Sequence, residues 1–134
     1  MAIKYATALR NAQLDAVTSQ AGTSARLRIY NGTRPANPNT AITSQTMLVE
    51  LTCNATAFAA AASGGVLTAN AISNGTAAAT GTASWFRLWQ SNGTTPVIDG
   101  DVGTSGSDLN LNNTSIATGQ TVSVTSFAIT DGNA

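Results

Sequence analysis

Apolar residues recur at Tyr5, Leu9, Ala12 and Ala16, the spacing of one helical face, and Leu14 and Val17 widen that stripe. The pattern predicts a helix over residues 5–21. Gly22 stands just after it, where a left-handed backbone favours glycine. From there the period changes from helical to two. Residues 25–30 alternate Arg26, Arg28 and Tyr30 against Leu27 and Ile29, a half-buried strand followed by an Asn31-Gly32 turn. Residues 33–45 are a polar loop carrying Pro35 and Pro38. Further strands are predicted over residues 46–53, with Met47, Val49 and Leu51 on one face, and over 66–72, 83–90, 97–102, 108–111 and 121–130. Residues 54–65 read as irregular, and 76–82 as an edge strand or a loop. Asn92-Gly93 is the strongest hairpin signal in the chain. Near the end, Val122 and Val124 share a parity that Phe127 and Ile129 break, which predicts a bulge.

Seven or eight short strands with turns between them are the pattern of an all-β fold. The expectation is a β-sandwich of jelly-roll type with one N-terminal α-helix. A chain of 134 residues without an internal repeat or linker reads as one domain. Residues 1–22 form an N-terminal arm and helix, and residues 23–134 the sandwich.

Charge narrows the function classes. Six basic and six acidic residues make up 9% of the chain, whereas a well-solvated surface holds roughly 25–35% charged residues. Thr, Ser, Asn and Gly carry the polarity instead, and such a surface suits a protein bound in an assembly. The basic residues Lys4, Arg10, Arg26, Arg28, Arg34 and Arg87 form no run, so nucleic acid is not an expected partner. Residues 57–62 are the longest apolar run, too short to span a bilayer, so no membrane is expected either. The opening MAIKYATALRN has no hydrophobic stretch or cleavage site, which points to a protein made and used inside a cell or assembled there into something larger.

Candidate chemistry is thin. The sequence has no histidine and a single cysteine, Cys53, so zinc sites and Cys-His dyads lack their parts and Cys53 reads as inert core. Asp99-Gly100-Asp101 could start a calcium loop, but the position twelve residues in is Asn110 rather than the glutamate an EF-hand needs. A nucleophilic serine would have only Lys4 as a base, and phosphate-cradling glycine motifs are absent. Asn31, Asn54, Asn74 and Asn92 sit in Asn-x-Ser/Thr triplets that read as turns. No catalytic residue, cofactor or metal is expected, and the chain is not expected to be an enzyme.

The informative segment is Ser84-Trp85-Phe86-Arg87-Leu88-Trp89-Gln90. On a strand, Phe86 and Leu88 face one side and Trp85, Arg87 and Trp89 the other. With Phe86 and Leu88 inward, the opposite face carries the residue types enriched at interface hot spots. Arg87 could stack between the two indoles. Burial of both faces, or a sugar-stacking platform, are the alternatives, and the favoured outcome is mixed, with Trp85 as core and Trp89, nearer the Asn92-Gly93 turn, as contact surface. The arm and helix start, with Ile3 and Tyr5, are a second candidate interface.

Several segments resemble a family of small proteins encoded in tailed-bacteriophage genomes. They are MAIKYATALRNAQLDAV, LRIYNGTRPA, GGVLTANAI and the block TGTASWFRLWQSNGTTPVIDGDVGTSGSDLNLNNTSIATGQTVSVTSFAIT. The resemblance covers nearly the whole chain and is most specific over residues 80–129. It implies a structural virion protein, a capsid decoration (cement) protein with a jelly-roll fold. Such a protein sits on the outer capsid surface after assembly in the host cytoplasm, with the major capsid protein and copies of itself as partners. A tail, fibre or baseplate component, or a module gripping host glycans, are the rival readings.

Overall fold

The computed structural model describes residues 3–59 and 62–131, and the fold is mostly β with one helix. Helix α1 spans Thr7–Ala21 and ends at Gly22, whose φ of 67° is the left-handed stop the sequence predicts. Among the described residues eleven strands follow. They are β1 (Arg26–Tyr30), β2 (Met47–Thr52), β3 (Val66–Thr68), β4 (Gly75–Thr76), β5 (Gly81–Thr82), β6 (Trp85–Trp89), β7 (Pro96–Gly103), β8 (Leu109–Leu111), β9 (Ser115–Ile116), β10 (Thr121–Val122) and β11 (Val124–Thr130). Seven form one mixed sheet in the order β2-β1-β6-β7-β8-β11-β3; β10 pairs with β4 and β5 with β9 as short ribbons. The pairings in the large sheet are antiparallel except β7 with β8. Among the described residues no helix is long and apolar enough to cross a membrane.

The sheet folds over itself. Phe86 on β6 and Phe127 on β11 meet edge to face with ring centroids 5.1 Å apart, and Phe58 meets Phe127 at 5.4 Å. In a flat sheet, strands three places apart lie about 14 Å from each other. Strand β7 makes the corner: residues from Pro96 to Asp101 pair with β6, while Val102 and Gly103 pair with β8. The inner face collects Leu27, Ile29, Val49, Leu51, Phe86, Leu88, Leu109 and Leu111, each no more than 1% exposed. Burying a side chain of this size stabilises the fold by roughly 1.5–3 kcal/mol. Gly100 faces Phe86 across the ladder, and a Cβ there would lie 2.5 Å from the Phe86 ring, so glycine admits the ring.

The sequence periodicity places α1 correctly, but of the expected stripe only Leu14 and Val17, the residues that widen it, face the core. Leu14 and Ala21 are buried and Arg10 and Val17 half-buried, so the docked stripe is Arg10, Leu14, Val17 and Ala21. Polar groups hold it: Asn11 Oδ1 accepts from the Gly65 amide at 2.8 Å and Asp15 Oδ1 from the Ala62 amide at 2.7 Å. Arg10 donates to the Asp131 carbonyl at 3.3 Å. Leu9, Ala12 and Ala16 of the expected stripe face outward, and Leu9 is 48% exposed.

Strand β2 departs from simple alternation as well. Val49 pairs with Ile29 but Met47 with Tyr30, so a bulge at Leu48 turns Met47 away from the face of Val49 and Leu51. The bulge expected before Phe127 is present between Val124 and Ser126. The Asn92-Gly93 turn joins β6 to β7, with Gly93 at φ 70°. Cys53 is buried and burial alone raises its thiol from an ordinary 9.0 to about 11. In the unfolded chain the thiol ionises above pH 9, while in the fold it stays protonated until about 11. Folding stability should therefore fall by about 1.4 kcal/mol per pH unit between pH 9 and 11. Urea melts across that window check this, and Cys53→Ala should flatten the Cys53 share of the slope.

Candidate functional site

The outer face of the large sheet is built from every second residue of four strands. Register places Glu50, Arg28, Arg87 and Asp99 in one row and Met47, Tyr30, Trp85 and Asp101 in the next. A third row runs from Thr52 through Arg26 and Trp89 to Pro96. The chain has six basic and six acidic residues. Arg26, Arg28, Arg87, Glu50, Asp99 and Asp101 stand on this one face, and Arg34 reaches it from the following loop.

Arg87 is the centre. It is 1% exposed, and its guanidinium forks onto Asp99, Nε to Oδ1 at 2.6 Å and Nη2 to Oδ2 at 2.9 Å. Nη1 donates to the Thr40 carbonyl at 2.9 Å and Nη2 to the Asn37 carbonyl at 3.3 Å. Its Cζ lies over both indoles, 5.5 Å from each centroid, the stacking that the Trp-x-Arg-x-Trp spacing suggests. A planar, always-charged donor fork can serve one carboxylate and two carbonyls together; an ammonium cannot hold that geometry.

The two carbonyls belong to residues 32–45, a strap between β1 and β2. Its tip is a turn made by Asn37-Pro38-Asn39-Thr40. Proline presets the second position, the Thr40 amide donates to the Asn37 carbonyl at 3.0 Å, and Asn37 Oδ1 accepts from the Asn39 amide at 3.0 Å. Trp85 Nε1 donates to the Asn31 carbonyl at 3.0 Å, and its ring stacks on Tyr30 at 4.5 Å. Arg34 on the strap pairs with Asp101 at 3.1 Å. Glu50 takes both Arg26 at 3.2 Å and Arg28 at 2.6 Å.

This corrects the expected contact surface at Arg87 and puts Trp85 in the interior, as the mixed reading has it. Trp85 and Arg87 are each 1% exposed, Trp85 stacked on Tyr30 and bonded to the Asn31 carbonyl, Arg87 held by Asp99 and the strap, and neither presents a surface. Trp89 is half-buried. The guanidinium carbons of Arg28 and Arg87 lie over its ring at 5.3 and 5.5 Å, so its indole is no bare platform for a sugar. Burial raises the pKa of Tyr30, against smaller lowering effects of Trp89, Arg28 and Arg87. Asp99 and Asp101 do not converge on a cation: Asp99 faces Arg87, Asp101 faces Arg34, and Asp108 accepts from the Asp101 amide at 3.1 Å. No group of three His, Cys, Asp or Glu residues is placed to hold a metal ion among the described residues.

Between strap and sheet a cleft of about 600 Å³ remains, bounded by Tyr30, Met47 and Trp89 on the sheet and by Pro38 and Ile42 on the strap. The second candidate interface fares differently. Ile3 is 72% exposed and Tyr5 half-buried, both ahead of α1, on which Leu9, Ala12 and Ala16 are exposed. Met1 and Ala2 of the expected arm lie outside the described residues. The outward helix face escaped the sequence reading because an apolar stripe is assumed to face the core. Comparison with protein-family models, curated proteins and solved structures finds no match to this chain.

Proposed function

We propose that this chain is a non-catalytic structural component of a tailed-bacteriophage particle, a decoration (cement) protein. It binds the outer capsid surface after assembly in the host cytoplasm and bridges subunits of the major capsid protein. The observation that carries this reading is the outward face of α1. Leu9, Ala12 and Ala16 stand exposed on α1, and Ile3, which precedes the helix, is exposed as well. The resemblance of residues 80–129 to phage-encoded proteins supplies the particle.

Magnitudes fit a multivalent role. A 15-residue helix is about 22 Å long, and one of its faces covers roughly 200–300 Å². Stable protein pairs bury about 800 Å² per partner. A single contact of this size is weak, and many copies on one shell, touching the capsid and one another, make it durable. Protein partners fit better than nucleic acid, because Arg26, Arg28, Arg34 and Arg87 are each paired to a carboxylate. The folded-over sheet with its corner at β7 supports the finer assignment to a sandwich of jelly-roll type.

The test is stoichiometry. The ratio of this chain to the major capsid protein in purified particles should correspond to hundreds of copies per particle. A few to tens of copies would instead place it in a tail, fibre or baseplate, and its absence from particles would end the proposal.

A further inference from the structure

We propose that Asn74 is a spontaneous modification site: of three identical Asn-Gly-Thr tripeptides it is the one the fold leaves open to deamidation, and its conversion loosens the cover over one edge of the large sheet. The inference stands apart from the α1 face and from the particle. The tripeptides are residues 31–33, 74–76 and 92–94. Asparagine is a thermolabile residue, and a following glycine has no side chain to shield its amide nitrogen. That nitrogen, once deprotonated, attacks the asparagine Cγ. The N–Cγ bond forms, the Cγ–Nδ2 bond breaks, and the side-chain nitrogen leaves as ammonia, taking up the proton that the glycine nitrogen gave up. Water then opens the cyclic imide at either carbonyl, to an aspartyl or an isoaspartyl residue. With the same tripeptide at each place, local structure separates the rates.

Two of the tripeptides are locked. Asn92 is exposed, yet its Oδ1 accepts from the Thr94 amide at 2.9 Å and the Thr95 amide at 3.0 Å, and its Nδ2 donates to Thr95 Oγ1 at 2.9 Å. The attacking nitrogen of Gly93 is held by the Gln90 carbonyl at 2.9 Å. Asn31 is half-buried, its Oδ1 accepts from the Thr46 amide at 2.7 Å, and the Trp85 indole holds its carbonyl. Asn74 is exposed, and its side chain makes no hydrogen bond among the described residues. Gly75 pairs with Val122 in the ribbon of β4 and β10, which is only two residues long and belongs to the low-stability end of the fold. The fold also forbids the change that would slow the reaction: a Cβ at Gly75 would lie 2.5 Å from Leu51 Cδ2 and 2.8 Å from the Glu50 carbonyl oxygen. The same segment covers β2, the end strand of the large sheet. The Ser73 amide donates to the Thr52 carbonyl at 3.3 Å and the Ala78 amide to the Leu48 carbonyl at 2.7 Å. An isoaspartyl residue at position 74 lengthens the main chain between these ties by a methylene and adds a negative charge to a chain of zero net charge. The cover then fits β2 less well, and a strand edge is freed.

The experiment ages the full chain at mildly alkaline pH, folded and in guanidinium chloride, and follows each asparagine by peptide mapping with fragmentation. In the folded protein Asn74 should be lost at least about tenfold faster than Asn31 or Asn92, and in denaturant the rates should agree within about twofold. Isoaspartyl and aspartyl products should both appear at position 74, the mark of the cyclic imide. A smaller lead in the folded chain would overturn the proposal. So would the same lead in denaturant, because local sequence rather than the fold would then set the rates. The aged fraction, separated by charge, should exchange the Ser73 and Ala78 amides at least about tenfold faster than fresh protein, with the Leu27 amide within about twofold. Asn74→Gln, whose attack would need a larger ring, should show neither the product nor the faster exchange after the same ageing. Unchanged exchange at Ser73 and Ala78 in the aged fraction, or faster exchange in aged Asn74→Gln, would overturn the loosening of the edge.

Discussion

Replacing Arg87 by alanine should cost about 3–5 kcal/mol of folding stability, because it leaves the Asp99 carboxylate buried without its partner. The Asp99 side chain is 6% exposed and cannot recover hydration where it stands. The Asn37 and Thr40 carbonyls lose their donor in the same step. A domain typically has about 5–15 kcal/mol in total, so the variant should sit near the edge of folding. The converse is equally specific. Converting both partners, Arg87→Met with Asp99→Leu, removes the orphaned charge and should recover most of the loss. It should fall short of wild type by what the two carbonyls forfeit. Urea denaturation of the three proteins checks the order. An alanine variant as stable as wild type would mean that the ion pair contributes nothing net.

Trp85→Ala should cost about 3–5 kcal/mol through the cavity it opens beneath the strap. The ring is 1% exposed, stacks on Tyr30 and ties down the Asn31 carbonyl. Trp89→Ala should cost about 1–2 kcal/mol, since that ring is half-buried and borders the cleft. The difference between two tryptophans two residues apart is the sharpest stability contrast in the chain. Equal losses, or a larger loss at Trp89, would contradict the assignment of Trp85 to the interior.

Local pattern made much of this fold legible. The helix end at Gly22, the Asn92-Gly93 hairpin and the bulge before Phe127 follow from backbone preferences and parity, which are properties of a few adjacent residues. Two things lay beyond that reach. The docked side of α1 is held by Arg10, Asn11 and Asp15 through hydrogen bonds to Asp131, Gly65 and Ala62 as well as by Leu14 and Val17, so an apolar count catches those two and adds the outward Leu9, Ala12 and Ala16. The second was the choice, left open in the sequence between a contact face and burial of both faces, that puts Trp85 and Arg87 inside. It depends on carbonyls of Asn37 and Thr40, about fifty positions away, in a loop that is polar and proline-bearing by composition. A strand with two buried faces looks, residue by residue, like one with an exposed aromatic face. Strand β9, only two residues long, is too short to carry a period.

The central claim is that the outward face of α1 is where this protein meets its assembly. Leu9→Asp places a charge in that face without touching the core, since Leu9 is 48% exposed. The measurement is occupancy of the variant on purified particles at matched concentration, with its melting temperature taken alongside. The expected result is an unchanged melt and at least about a tenfold loss of occupancy, because burying an unpaired carboxylate in each of many contacts multiplies across the shell. Full occupancy of a normally folded Leu9→Asp protein would contradict the account.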